Sequence, residues 1–347
     1  MRRLRIAVCL PQVPFQRGGA EILAEQLVAA LVDRGHEADL VTLPYRWSPS
    51  GALLQSAVMW SALDLTRLHP PVDVVIGTKF PSYLISHPNK VVWLFHQYRQ
   101  AYDFHGTAYA QFEDDPSGVA MLDAVRRMDA AALGAASSLL TISGNTANRL
   151  REFNGIEAEV LFPPPQRTDL RWLGDDGYIL SVGRLDELKR IDLLIDALAQ
   201  VPDAQAIVVG RGDQRDALVA RARRRRVSDR IDFRGWVDEP ELADLYGRAR
   251  AVYYAPRDED YGMVTVEAHL AGKPVITTTD AGGPLEFVRE GVGGLVVQPT
   301  ATAIAGAIRA LTTDAATARR LGEAAQPAAA RLDWDGVIER LLRDVPG

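Results

Sequence analysis

Two cations and two acids stand out by their spacing. Arg184 and Lys189 lie five positions apart in SVGRLDELKR, and Glu259 and Glu267 lie eight apart in EDYGMVTVE. A guanidinium offers a planar fork of donors and an ammonium a mobile point charge, a pair suited to a diphosphate. A carboxylate can accept two hydrogen bonds from a vicinal diol, so either acid suits a ribose or another sugar. Blander roles compete: Asp186 and Glu187 could neutralise the two cations in a solvated loop, and an acid near a helix start is favoured by the macrodipole alone.

Two further stretches have the right chemistry. In QRGGAEILAEQL, Gly18 and Gly19 permit close approach of a ligand to the backbone, and a helix beginning near Ala20 would aim N–H groups at an anion. An ordinary glycine turn capped by Glu21 is the alternative. In VVWLFHQYRQAYDFHGT, His96 ends a strand, a place suited to function, with Arg99, Tyr102 and Asp103 close behind; a satisfied structural histidine is the alternative. Asp258, Glu259 and Asp260 form a DxD-like string, but it lies in one short loop with no histidine or distant carboxylate to complete a metal shell.

These residues need a scaffold that puts loops together. Short runs rich in β-branched residues alternate with Ala/Leu-rich amphipathic stretches, which predicts α/β structure throughout. RIAVCLP, EADLVTLP, VDVVIGT, KVVWLFH and SSLLTIS are strands of one doubly wound sheet. YILSVGR, AQAIVVG, IDFRGW, AVYYAP, KPVITTT and GGLVVQP belong to a second. Every stretch named above follows a strand, where open parallel sheets collect their ligands. Glu259 falls in such a loop, Gly262 and Met263 in the turn that follows, and Glu267 on the next helix.

Three prolines in EVLFPPPQRTDLRW make a stiff connector and place a boundary near residue 165. The expected domains are 1–165 and 166–330, with a last helix over 331–347 whose Trp334 needs a surface to dock on. The 347 residues, 47% of them hydrophobic, suffice for two cores. With 39 basic and 45 acidic residues the formal charge is −6, so no global field favours nucleic acid. The run RARRRR over 221–226 reads as a solvated helix face.

Cys9, the single cysteine, excludes an internal disulfide and a cysteine-based zinc site; its apolar neighbours make it a core thiol. The apolar run near the N-terminus is too short for a signal peptide, and no stretch approaches the ~18 residues of a membrane span. A cytoplasmic location is expected. Peripheral contact at the inner membrane face stays compatible with it, since that needs only a surface patch.

Taken together, GGAE at 18–21, GRLDELK at 183–189, the E-x7-E from Glu259 to Glu267, and AGKPVITTTDAGGPLEFV followed by GVGGLVVQP resemble glycosyltransferase family 4 in order and spacing. The resemblance implies a GT-B architecture, two Rossmann-like domains facing each other across a cleft, with the last helix packing back on the N-terminal domain. It implies a retaining transfer of a hexose from a nucleoside diphosphate sugar to a hydroxyl of a glycan, glycolipid or small-molecule acceptor, with no metal and no other cofactor.

By the same resemblance Arg184 and Lys189 would hold the diphosphate and stabilise its developing charge. Gly18 and Gly19 would line that site, Glu267 would bind the ribose and Glu259 the transferred sugar. Backbone amides at Tyr261, Gly262, Met263 and Val264 would add donors, and His96 would contact the sugar and the acceptor side. The base would fall near GRGD at 210–213 and GWV at 235–237. Tyr261 stands where the family usually has Phe, and residues 44–70 and 97–120 carry no family string.

A sugar-nucleotide epimerase of the same fold and a non-catalytic sugar-nucleotide-binding protein are the alternatives. A phosphorylase would want a much longer chain, and a nicotinamide dehydrogenase would want the GxGxxG fingerprint that this sequence lacks.

Overall fold

The computed structural model describes residues 2–346. The chain forms two compact units, Met1–Pro164 with Asp333–Gly347, and Pro165–Leu332.

Unit 1 holds strands β1 (Arg5–Gln12), β2 (Glu37–Pro44), β3 (Val74–Lys79), β4 (Lys90–His96), β5 (Ser138–Thr141) and β6 (Glu159–Val160). Its helices are α1 (Gly19–Asp33), α2 (Ser50–Ala62), α3 (Pro116–Gly134) and α4 (Gly144–Asn154). The strands pair in parallel in the order β2-β1-β3-β4-β5-β6. Ile6 to Leu10 are buried on both faces of β1, which is why the strand reads as a continuous apolar run rather than an alternating one. Cys9 lies there, and burial pushes its thiol up to about 12, an inert core group. The order reverses at β1, which pairs with β2 on one side and β3 on the other, so the glycine loop leaves the sheet at its switch point.

The C-terminal helix α11 (Trp334–Leu342) belongs to this unit. Asp333 caps it by accepting from the Gly336 amide at 2.8 Å. Val337, Ile338 and Leu341 are buried, and Trp334 sets its ring edge-on to Trp93 with centroids 6.3 Å apart. Arg34 donates to Asp335 at 2.7 Å, and Arg340 forks onto Glu159 of β6 at 2.9 Å. The aromatic in the tail thus finds its surface on β4.

Unit 2 holds β7 (Ile179–Val182), β8 (Ala206–Val209), β9 (Ile231–Gly235), β10 (Ala251–Tyr253), β11 (Val275–Thr278), β12 (Arg289–Glu290) and β13 (Gly293–Val297). The helices are α5 (Ile191–Leu198), α6 (Arg215–Arg224), α7 (Glu239–Arg248), α8 (Met263–Leu270), α9 (Ala301–Thr313) and α10 (Ala315–Ala329). The parallel order is β12-β13-β11-β10-β7-β8-β9, reversing between β7 and β10. Ile195, Leu198, Ile304 and Ile308 fill one face of this sheet; Leu180, Tyr246 and Val252 fill the other. In the arginine run, Arg221 and Arg225 both fork onto Asp196, Ala222 is buried in the core, and Arg223, Arg224 and Arg226 are exposed.

All eleven expected strands form. The two not anticipated, β6 and β12, are two-residue pieces on sheet edges, too short to show a period. Because Leu341 is fully buried, Leu341→Ala should cost unit 1 about 2–5 kcal/mol in urea unfolding followed by tryptophan fluorescence. A loss below about 1 kcal/mol would mean that the tail is peripheral to that core.

Candidate functional site

The unit 2 site grows from the switch point. Since β7 pairs with β10, the loops leaving these two strands are neighbours, and one carries Arg184 and Lys189 while the other carries Glu259. Asp186 accepts from the Lys189 amide at 3.1 Å and shapes the short helical turn Glu187–Lys189. Lys189 Nζ forms an ion pair with Glu259 and donates to the Tyr254 hydroxyl at 3.2 Å. Burial opposes the charge on Lys189, but Glu259 and Tyr254 outweigh it and hold the ammonium above the usual lysine range. Arg184 stays exposed, 3.5 Å from Asp186. The two cations therefore differ: one is fixed in the wall and the other is at the surface.

The acid loop is clamped by backbone. The Glu259 amide donates to Ala281 O and its carbonyl accepts from the Gly283 amide, both at 2.8 Å. A Cβ on Gly283 would sit 2.5 Å from Tyr261 O. Gly262 has φ 88°, and a Cβ there would meet Pro284 at 2.8 Å, so only glycine fits the turn that opens α8. The string AGGP is thus the other half of the E-x7-E motif. Arg190 ties the same loops together, donating to Ala255 O and to Thr278 and Asp280, each at 2.8 Å. Tyr261 is buried and packs edge-on to Phe287 at 5.4 Å. Met263 and Val264, half-buried, form the first turn of α8.

Glu267 lies one turn further along α8 and is buried. Tyr246 donates to its Oε2 at 2.9 Å, and Arg167 Nε stands 3.9 Å from its Oε1 while pairing with Glu239. Burial pushes the Glu267 carboxyl up to about 7, against the pull of Tyr246 and Arg167. His269 on the same helix is structural: Nε2 lies 2.9 Å from Gly293 O, and burial pushes its pKa down to about 4.

In unit 1 the glycine loop is already capped. Glu21 accepts from the Gly18 amide at 2.9 Å and from Lys79 at the end of β3 at 3.0 Å. Burial opposes ionisation of Glu21, but Lys79 and the Gly18 amide keep its carboxyl below the usual range. Gly18 has φ −135°, so no turn demands glycine; what its missing side chain leaves is open surface, with Glu21 Oε2 as the nearest atom at 3.5 Å. Gly19 begins α1. His96 is the last residue of β4, the register partner of Lys79 across a bulge, with Nδ1 2.7 Å from Gln97 O.

Unit 2 thus gathers Lys189, Glu259, Tyr261, Gly262, Met263 and Val264, with Arg184 and Glu267 on adjoining turns; unit 1 holds Gly18, Gly19 and His96. Tyr246, Tyr254, Arg167, Arg190 and Lys79 escape sequence reasoning. Tyr254 sits in the apolar stretch AVYYAP and reads as core, Tyr246 lies in a charged helix, Lys79 ends a strand, Arg190 directly follows the GRLDELK string, and Arg167 lies in the connector without a motif. Among the described residues, no group of three His, Cys, Asp or Glu side chains is placed to hold a metal ion, and no helix is long and apolar enough to cross a membrane.

Residues 164–327, nearly the whole of unit 2, match the family described as glycosyl transferases group 1. Unit 2 belongs to this family. The glycogen synthase of Mycobacterium tuberculosis strain CDC 1551 / Oshkosh is 29% identical over 304 residues, 82% of this chain and 71% of that protein. Sucrose-phosphate synthase from Thermosynechococcus elongatus superposes with a TM-score of 0.78 at 21% identity, over 98% of both chains. HepE from Anabaena, solved with UDP and glucose, gives 0.72 at 18% identity, over 98% of this chain and 99% of that one. The architecture is therefore that of GT-B glycosyltransferases, with two Rossmann-like domains, and the resemblance to a family 4 type glycosyltransferase holds.

The buried acid of unit 2 should leave a mark on stability. A carboxyl at about 7 in the folded protein and near 4.5 in the unfolded chain favours the fold while protonated, and that contribution is lost as pH rises from about 4.5 to 7. Glu267→Gln should therefore gain stability relative to wild type between pH 5 and pH 8, by on the order of 2–3 kcal/mol in denaturant titrations. A difference that stays flat with pH would show that Glu267 is ionised throughout.

Proposed function

We propose that the protein is a retaining, metal-independent hexosyltransferase, taking a sugar from a nucleoside diphosphate to a hydroxyl of a glycan, lipid-linked or small-molecule acceptor. The observation that carries this reading is the ion pair of Lys189 with Glu259 at the unit 2 switch point, with Glu267 on the helix that the same loop opens. Lys189 presents fixed positive charge for a diphosphate, and exposed Arg184 can close on it. Glu259 accepts from sugar hydroxyls and Glu267 from the ribose, while the first amides of α8 face negative charge.

Unit 1 supplies His96 and the glycine loop. In the transfer, the bond between the sugar anomeric carbon and the diphosphate oxygen breaks and a bond to the acceptor oxygen forms on the same face. The acceptor's proton goes to the departing phosphate oxygen, so the protein needs no nucleophile. Its part is electrostatic: Lys189 and Arg184 stabilise the charge that develops on the leaving group. The name under which HepE was solved makes UDP the first nucleotide to try.

Calorimetry with UDP, GDP, ADP, dTDP and NAD, without metal and then with magnesium, tests the donor half. One diphosphate should bind without metal, and Glu267→Ala should weaken it by about 1–3 kcal/mol. Binding of NAD alone would remove the reading. Arg184→Ala should lower turnover far more than it lowers affinity for the free nucleoside, since its charge is assigned to the diphosphate. Equal turnover in the variant would take Arg184 out of the mechanism, and conversion of the donor sugar without an acceptor would favour the epimerase.

A further inference from the structure

A fully buried carboxylate in unit 1 lies outside every role given so far. Asp129, on α3, is completely shielded from solvent. Each of its oxygens accepts one tyrosine hydroxyl: Oδ1 from Tyr83 and Oδ2 from Tyr102, both at 2.8 Å. Burial pushes the Asp129 carboxyl up to about 7, and the two hydroxyls pull it back.

The tyrosines belong to different strand exits. Tyr83 sits in the short helical turn Ser82–Leu84 that follows β3, close against the sheet, for a Cβ on Gly77 would fall 2.8 Å from Tyr83 Cα. That exit begins at Lys79, which reaches Glu21 and through it the Gly18 amide. Tyr102 follows the turn Arg99–Ala101 after β4. Its hydroxyl also accepts from Asn154 at 3.0 Å, and Asn154 in turn accepts from the Gln97 side-chain amide. Gln97 is the residue after His96, and its carbonyl meets His96 Nδ1. One carboxylate thus holds two strand exits: at β4 a run of hydrogen bonds through Tyr102 and Asn154 reaches the Gln97 side chain, next in sequence to His96, and at β3 Tyr83 anchors the exit whose Lys79 bonds Glu21.

We infer that Asp129 is a positioning residue for the transfer, its two oxygens holding the β4 exit that presents His96 and the β3 exit whose Lys79 braces Glu21, the cap of the glycine loop. The inference rests on the reading of His96 as an acceptor-side residue. Both Asp129 oxygens are paired, and a paired buried carboxylate resists rearrangement because moving either tyrosine leaves it short of a donor; Gln97 Oε1, at the far end, is buried with no partner among the described residues. The orientation of a group that contacts substrate is worth more in rate than in binding.

Two variants test this. Tyr102→Phe removes one hydroxyl and keeps the ring, so it serves if Asp129→Asn fails to fold. The His96 ring resonance, assigned by its loss in His96→Gln, should move beyond its linewidth in Tyr102→Phe, while His269 in unit 2 stays in place. Turnover of the donor that calorimetry identifies should fall roughly tenfold in Tyr102→Phe with nucleotide affinity within about twofold of wild type. It should fall little further when Tyr102→Phe is added to His96→Ala, since both act through one side chain. An unmoved His96 resonance in folded Tyr102→Phe overturns the positioning role, as does full additivity in the double variant. Full turnover in His96→Ala would instead overturn the reading on which it rests, so the two failures are told apart.

Discussion

The ion pair between Lys189 and Glu259 is the contact around which unit 2 is arranged. Two loops far apart in sequence must meet for it to form, and they meet because β7 and β10 are adjacent at the reversal of strand order. Everything nearby keeps the meeting exact in geometry. Asp186 shapes the lysine's turn, Arg190 crosses from one loop to the other, and backbone bonds from Ala281 and Gly283 fix the acid's height. A lysine and a glutamate alone at a surface would contribute little. Half-enclosed and held by backbone, the ammonium and the carboxylate keep fixed positions, the orientation that the proposed binding of a diphosphate and a sugar would use.

The same logic governs unit 1 with different residues. There the cap is internal: Glu21 accepts from the Gly18 amide and takes the charge of Lys79. An anion arriving at the start of α1 meets a helix terminus that is partly satisfied, so this loop contributes shape more than charge. The strong fixed cation is in unit 2. The family match and most of the motif strings fall in this same unit 2, a division that goes with their thinning over residues 44–70 and 97–120.

What the sequence made legible follows from that division. Strands buried on both faces announce themselves as apolar runs, and glycines that no other residue can replace, such as Gly262, mark the turn into α8. The motif residues Arg184, Lys189, Glu259 and Glu267 could be named because each follows a strand. Their partners could not. Tyr246 lies in the charged helix ELADLYGR and Tyr254 in the apolar AVYYAP, and in neither does the sequence reveal that the hydroxyl meets Glu267 or Lys189. Asp129 sits in the helical string AVRRMDAAALG and draws no reading from the sequence, because helical position alone does not reveal that two tyrosines from other segments enclose it. Long-range hydrogen bonds leave no period in a sequence.

The state of Glu267 shows what such partners accomplish. A carboxylate has about four lone-pair positions. Tyr246 occupies one on Oε2, and Arg167 at 3.9 Å from Oε1 lies beyond hydrogen-bonding distance while still contributing charge. Burial without a close cation raises the cost of ionisation, whereas a tight arginine fork would consume the acceptor positions. The arrangement lies between the two: enough positive charge to keep the group near its midpoint at neutral pH, and an oxygen left to accept from a diol. Under the proposed ribose role a vicinal diol would bring donors to this carboxylate, and hydrogen bonds from such a ligand would favour its ionised form.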